Sequence, residues 1–424
     1  MMTYLTILLE VLVGAVLLVA AVGIVMRLPR AAMLLRPLPL SRFARLLLAA
    51  LTALPGIGML VATMVPFSAF FVVLLSVIVT GALATASKLG GGRPAWALST
   101  MLVLASTGIV ILQPLGLKVL SLPKADTLAY RLVPTRVIKT YGEGVGFESV
   151  RAGSDGTLYL AANIGLDFSA SEYYHAAIGQ IIVRQPDGHE RVLFTTPVGS
   201  TAGVIAVADD GTLYMTSNGR QPGIWRVMPN GAATKIATLP TGAWPNGLDF
   251  GPDGMLYTPD SSLAQVWRVN PATGRAEVVL HDQKLAARPF IALAPGANGL
   301  HFAGRDMIVT VSDSTEVLKY PLGNDGQFGA PTLIARGIPG DDFAIGKDGS
   351  LFVTTHPYNT LVRIARDGKR TIIGDARQQI IGATDASFGR GPNDRDTLYV
   401  ATDGGAFTAG PKARGQLIAV EPYR

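Results

Sequence analysis

From residue 148 onward, short stretches of alternating apolar and polar residues recur around one kind of turn. Each copy reads as an apolar strand, a tight turn, then a second strand opening with Leu-Tyr or a close variant. The copies are Ser154-Asp155-Gly156-Thr157-Leu158-Tyr159, Asp209-Asp210-Gly211-Thr212-Leu213-Tyr214 and Pro252-Asp253-Gly254-Met255-Leu256-Tyr257. They continue with Gly304-Arg305-Asp306-Met307-Ile308-Val309, Lys347-Asp348-Gly349-Ser350-Leu351-Phe352 and Asp394-Arg395-Asp396-Thr397-Leu398-Tyr399. Asp-Gly suits a hairpin because the turn needs positive φ. The leucine-equivalent positions are 55, 43, 52, 43 and 47 residues apart. A period in the forties is that of a four-stranded propeller blade.

A third strand is expected in every copy, at 180–184, 223–227, 265–269, 316–320, 360–364 and 416–420. A fourth follows in five copies, at 191–194, 234–237, 276–280, 332–335 and 370–373. The sixth copy runs out of chain. Residues 135–141 can supply its outer strand and close the ring, which removes the open edges. The expected propeller spans 134–424, after a linker at 121–133.

The pattern before residue 120 has no such alternation. Four apolar stretches, at about 4–26, 46–65, 67–86 and 95–117, are long enough to cross a bilayer core of roughly 30 Å. Pro66 divides the middle pair. The expected fold class is therefore an all-β six-bladed β-propeller with four-stranded blades, preceded by an α-helical transmembrane region of about four helices.

Composition sharpens this division. Hydrophobic residues make up 49% and charged residues 16%. Residues 1–119 hold eight basic residues and one acid, Glu10, so they carry +7, while the remainder carries −1. Glu10 reads as an intramembrane polar contact or as a group near the interface. Arginines at 27–45, with Lys88 and Arg93, mark cytoplasmic loops by the positive-inside rule. Four crossings would put the propeller on the extracytoplasmic side of a bacterial inner membrane, with the lipid bilayer as a partner. Three crossings, with 50–70 re-entrant, would put it in the cytoplasm. The basic charge belongs to these loops, which argues against nucleic acid. No cysteine is present, which excludes disulfides and thiolate sites.

The innermost strand of each blade lines the channel, and all six start at one mouth. Those starts are Glu148, Gly203, Asn246, Asn298, Asp341 and Thr384. Two carboxylates and two amide oxygens are hard donors for a divalent cation, calcium foremost, with magnesium, manganese or zinc as alternatives. The competing reading is local: Asn246-Gly247 and Asn298-Gly299 are turn signals.

Pro245-Asn246-Gly247-Leu248-Asp249-Phe250, followed by the Asp-Gly-x-Leu-Tyr turn, resembles the senescence-marker, gluconolactonase and luciferin-regenerating-enzyme family. The resemblance covers 134–424. It implies a channel metal held by Glu148, Asn246, Asn298 and Asp341, and metal-assisted hydrolysis of a lactone or related ester. In that scheme Asp341 or Asp342 takes the proton from water, with Asp341 favoured as the ligand. Asp342 reads equally as a cap at the strand start. Trp244 stands where many sugar lactonases of the family carry Arg, which points to a more apolar substrate. The first-blade motif Glu148-Ser149-Val150 and the Asp341-Asp342 pair also depart from the family pattern.

The loop at 163–179, with Tyr173, Tyr174 and His175, reads as a substrate lid, as a loop dipping toward a bilayer, or as surface decoration. His356 falls near the mouth, as a substrate-contacting, catalytic or structural histidine. The direction of His301 is open. The expected function is a membrane-anchored, metal-dependent hydrolase of lactones or esters, with Trp244, Tyr173 and His356 contacting substrate. The alternatives are a non-catalytic propeller that binds a ligand or protein, and a propeller synthase of the strictosidine type, which works from a pocket Glu without metal.

Overall fold

Among the described residues, 25 strands form six sheets, each the blade of a propeller. The computed structural model describes residues 128–166, 173–287 and 295–423, with five isolated positions before residue 58. The propeller lies in one of two units, Pro123–Arg288 with Ala294–Arg424.

Strands β1 (Ala129–Tyr130) and β2 (Thr135–Thr140) precede the repeat. Blade one is β3 (Val145–Ala152), β4 (Leu158–Ile164), β5 (Ile178–Arg184) and β6 (Glu190–Thr195). Blade two is β7 (Ile205–Val207), β8 (Leu213–Ser217), β9 (Gly223–Val227) and β10 (Ala233–Thr238). Blade three is β11 (Asp249–Phe250), β12 (Leu256–Asp260), β13 (Gln265–Val269) and β14 (Ala276–His281). Blade four is β15 (Ala297–Ala303), β16 (Asp306–Val311), β17 (Glu316–Pro321) and β18 (Thr332–Arg336). Blade five is β19 (Phe343–Ile345), β20 (Leu351–Thr355), β21 (Thr360–Ile364) and β22 (Arg370–Asp375). Blade six has β23 (Ala383–Phe388), β24 (Leu398–Thr402) and β25 (Gln416–Val420).

The turns form as their chemistry dictates. Gly156, Gly211, Gly254 and Gly349 have φ between 74° and 84°. In each turn the preceding Asp accepts a hydrogen bond from the backbone N–H two residues on, at 2.9–3.1 Å. The ring closes through β2, which pairs antiparallel with β25 from Thr135↔Val420 to Thr140↔Gln416. The expected linker contributes a further strand: β1 pairs in parallel with β22 on the outer edge of blade five. Two residues are too few to show a periodicity.

Six apolar clusters hold the ring, one at each junction between neighbouring blades. The junction of blades six and one packs Phe147, Val150, Leu158 and Leu160 against Ala401 and Leu417. Each blade therefore covers the apolar face of the next, which no single sheet could do alone.

The expected membrane region is corrected. Among the described residues no helix is long and apolar enough to cross a membrane. The stretches at 4–26, 46–65, 67–86 and 95–117, Glu10 and the loops around them lie outside the described residues. Apolar run length is a permissive signal and not a placement. The expected bilayer contact and inner-membrane location depended on those helices and are not supported.

Candidate functional site

The starts of the innermost strands do gather at one end of the channel, and irregular backbone is what aims them. In β3 the pairing with β4 shifts between Phe147 and Ser149, so Glu148 is an extra, bulged residue. Similar shifts fall between Ala297 and Leu300, and between Ala383 and Asp385, which frees Asn298 and Thr384 from strand alternation. Bulges of this kind re-aim side chains. Asp341 and Asp342 precede the regular strand β19, so alternation does not keep them on opposite faces.

Neither Asn-Gly pair is a turn, because Gly247 and Gly299 both lack positive φ. They are glycines because blades approach closely there. A Cβ on Gly247 would lie 2.6 Å from the Leu300 nitrogen, and one on Gly299 would lie 2.4 Å from Asp342 Oδ1. The backbone instead links neighbouring blades: Gly247 N–H donates to Asn298 O at 2.9 Å, Gly299 N–H to Asp341 O at 2.9 Å, and Asp342 N–H to Thr384 O at 3.1 Å.

The mouth is rich in carboxyl groups. Asn298 donates from Nδ2 to Asp341 Oδ1 at 2.7 Å and to Ser312 Oγ at 2.9 Å. Its Oδ1 is buried and accepts no hydrogen bond. Asn246 donates to Ser261 Oγ at 3.3 Å. His356 Nε2 meets Asp403 Oδ2 at 2.9 Å, and its Nδ1 stands 3.9 Å from Asp341 Oδ2. Asp403 is itself held by the Gly405 N–H at 2.7 Å. Burial, with repulsion from Asp403, Asp385 and Asp342, pushes the Glu148 carboxyl up to about 7, although His356 opposes it. Burial and the Glu148 charge raise Asp341 well above the usual carboxylate range. At His356, burial disfavours the charge, but Asp403 outweighs it and the imidazole is pushed up to about 9. One cation thus faces three acids.

Further along the same strands lies a second layer. Arg151 pairs with Asp385, donates to Asp342 Oδ2 at 3.1 Å, and meets His301 Nε2 at 3.2 Å. His301 faces Asp249 Oδ2 through Nδ1 at 3.1 Å and Asp342 Oδ1 through Nε2 at 3.3 Å. Asp385 Oδ2 also accepts from Ser149 Oγ at 2.7 Å and Val150 N at 2.9 Å. Burial works against the Asp342 charge, yet His301 and Arg151 hold its carboxyl below its ordinary value. Burial raises Asp385 against the pull of Arg151. Asp342 is therefore an anchor within an ion-pair network and not a free proton acceptor.

Aromatic side chains flank the mouth. Tyr173 lies 6.1 Å from Trp244, centroid to centroid, and burial followed by the Glu148 charge raises its phenol. Trp244 is fixed by its neighbours: its N–H donates to Asp260 Oδ1 at 3.0 Å, and Ser261 N–H donates to its carbonyl at 2.9 Å. Phe407, 47% exposed, lies 5.2 Å from the His356 ring.

The structure thus groups Glu148, Asn298, Asp341 and His356 by contact or mutual charge, with Asn246 at the equivalent position of blade three. Asp342 and His301 join the inner layer. Asp403 and Arg151 escaped the sequence reading. A signal for Asp403 exists: five residues after each leucine-equivalent position stand Asn163, Asn218, Ser261, Asp313, His356 and Asp403. This second polar ring marks where each second strand ends. Arg151 carries no comparable signal.

The expectation of a membrane-anchored, metal-dependent hydrolase is corrected on both counts. No described helix can cross a membrane, and among the described residues no group of three or more His, Asp or Glu is arranged to hold a metal ion. Of the four expected ligands only Glu148 and Asp341 are acids, and Asn298 turns its NH2 toward Asp341. The donor chemistry still fits a hard cation in one respect, since the buried Asn298 oxygen has no donor.

No protein-family model matches the chain, and no curated protein sequence matches it. Solved structures share the fold at low identity. A gluconolactonase from Xanthomonas campestris is 16% identical with a TM-score of 0.47, over 67% of this chain and 91% of that one. A calcium-binding regucalcin from Agrobacterium tumefaciens is 15% identical with a TM-score of 0.48, over 69% and 96%. A virginiamycin B lyase from Staphylococcus aureus is 11% identical with a TM-score of 0.46, over 68% and 99%. These proteins are named for different activities, so the likeness is one of fold and selects no reaction.

Proposed function

We propose that the propeller hydrolyses small, uncharged lactones or related esters at the channel mouth. The observation behind this reading is His356 set between Asp403, 2.9 Å from Nε2, and Asp341, 3.9 Å from Nδ1, with burial favouring the protonated forms of Glu148 and Asp341 beside it. A carboxyl titrating near 7 is suited to general acid–base work at neutral pH. Water attacks the acyl carbon and gives its proton to Asp341. The acyl C–O bond breaks, and the leaving alkoxide takes a proton from Glu148. His356, oriented by Asp403, presents Nδ1 to the developing oxyanion. Asp342 stays ion-paired and keeps the Asp341 segment in place. Tyr173 and Trp244 contact the rest of the substrate.

A divalent cation, calcium by its preference for hard oxygen donors, would be held by Glu148, Asn246, Asn298 and Asp341. Bound there it would hold both carboxylates deprotonated, take the place of their proton transfer and polarise the substrate carbonyl. The unpartnered Asn298 Oδ1 supports this addition.

The test is pH-stat hydrolysis of a lactone and ester panel by purified protein. Turnover of uncharged substrates is expected, reduced about 10²–10⁴-fold in Asp341→Asn and in Glu148→Gln. Absence of turnover, or turnover indifferent to both substitutions, overturns the reading.

A further inference from the structure

Among the described residues, Tyr173, Trp244 and Phe407 flank this mouth, and they come from separate parts of the ring. Tyr173 belongs to the β4–β5 loop of blade one, Trp244 leads into blade three, and Phe407 belongs to the β24–β25 loop of blade six. In a ring of six, blades three and six face each other across the axis, so the apolar surface bounds the mouth on two sides. Phe407 is 47% exposed although its neighbour His356 is largely enclosed. It sits on a single helical turn of that loop, Ala406–Ala409. Trp244 is held by two backbone hydrogen bonds, so its ring is presented from a fixed frame.

The polar groups at the mouth point the same way. Among the described residues, Glu148, Asp341 and Asp403 are acids grouped there with the basic side chain of His356. Arg151 is committed to Asp342 and Asp385 in the layer beneath. An anionic substrate would meet repulsion there. The faces of Trp244 and Phe407 offer apolar carbon a better neighbour than hydroxyl groups.

We propose that the substrate is a neutral lactone or ester bearing an alkyl or aryl chain, bound between Trp244 with Tyr173 on one side and Phe407 on the other. This deepens the hydrolytic reading and rests on it for the word substrate; the ligand class rests on the aromatic groups alone. Each methylene buried against such surface favours binding, so affinity rises with chain length until the aromatic surface is covered.

Two measurements separate the two claims. Calorimetric binding of the non-hydrolysable lactams 5-methyl- and 5-hexyl-2-pyrrolidinone tests the ligand class without any chemistry. The hexyl compound is expected to bind at least about tenfold more tightly. In both Trp244→Ala and Phe407→Ala that preference is expected to shrink toward unity. Phe407→Ala also loosens His356, and Trp244→Ala provides the independent check. Hydrolysis of γ-valerolactone, γ-decalactone and glucono-δ-lactone then tests turnover, with the decalactone expected to have the lowest KM. Lactam selectivity without hydrolysis of any lactone would leave the ligand class standing and remove the hydrolase reading. Equal binding of the two lactams, a chain-length preference that survives both substitutions, or hydrolysis that favours the gluconolactone would overturn the inference.

Discussion

Two layers of charge lie along one channel, and they are solved differently. In the inner layer Arg151 and His301 meet Asp342, Asp385 and Asp249, so every charge has an opposite within reach. Among the described residues, Glu148, Asp341 and Asp403 at the mouth share His356 as their cation. The first arrangement holds Asp342 below its ordinary value, although burial still raises Asp385 beside it, and the second pushes Glu148 and Asp341 above theirs. Burial raises carboxyls in both places, so burial alone does not separate them. The difference is the local supply of positive charge. Folded proteins tolerate such a shortage mainly where a ligand or a reaction makes use of it. The inner layer joins five blades at the axis, and the mouth is where the proposed chemistry is placed.

The largest effect expected from this contrast is at Arg151. Arg151→Met leaves Asp342 and Asp385 buried without their cation and is expected to cost about 3–5 kcal/mol in denaturant unfolding. A loss below about 1 kcal/mol would mean that the inner layer is not a structural clasp.

The opposite sign is expected at the mouth. Glu148 titrates near 7 in the fold against 4.5 unfolded, so the folded state holds that proton more tightly. Its contribution is fully present below the unfolded value and is lost as pH rises from about 4.5 through 7. With a chelator present, Glu148→Gln is expected to flatten that decline and to raise stability at pH 7.5 by up to about 3 kcal/mol. Asp342 responds the other way: its stabilisation is present above pH 3.8 and fails as acid reaches its depressed folded value. Unfolding midpoints across pH 3–8 for wild type and Glu148→Gln check both signs. A variant that is less stable at pH 7.5 would break the comparison.

A somewhat smaller effect is expected for the orienting acid. Asp403→Asn removes the charge that holds and ionises His356, and kcat is expected to fall about a hundredfold with KM little changed. A rise in KM at constant kcat would instead make His356 a binding group.

Much of the fold is legible in the chain because its signals are local. The Asp-Gly turns impose positive φ wherever they occur, and residues 135–141 are apolar enough on one face to serve as the closing strand. The mouth positions stand near the beginnings of the inner strands, Glu148 within β3 and Asn246 and Asp341 just ahead of β11 and β19. The inner layer is not legible. Arg151 and Asp385 lie 234 positions apart, and Asp385 faces the axis only because Thr384 is bulged. No rule of alternation would have put both there. The division within the Asp341-Asp342 pair follows the sequence expectation that favoured Asp341 at the mouth, while the partners of Asp342 come from distant strands and carry no local signal. The apolar N-terminal stretches illustrate a third limit, since run length and hydropathy do not by themselves place a helix in a membrane.

The central claim is that the mouth is short of positive charge and that Glu148 registers it. The most direct measurement is a carboxyl-carbon NMR titration of Glu148 in chelator-treated protein, repeated with calcium added. The account predicts a midpoint near 7 that falls by more than about one unit when calcium binds. A midpoint near the ordinary 4.5, unmoved by calcium, would contradict it.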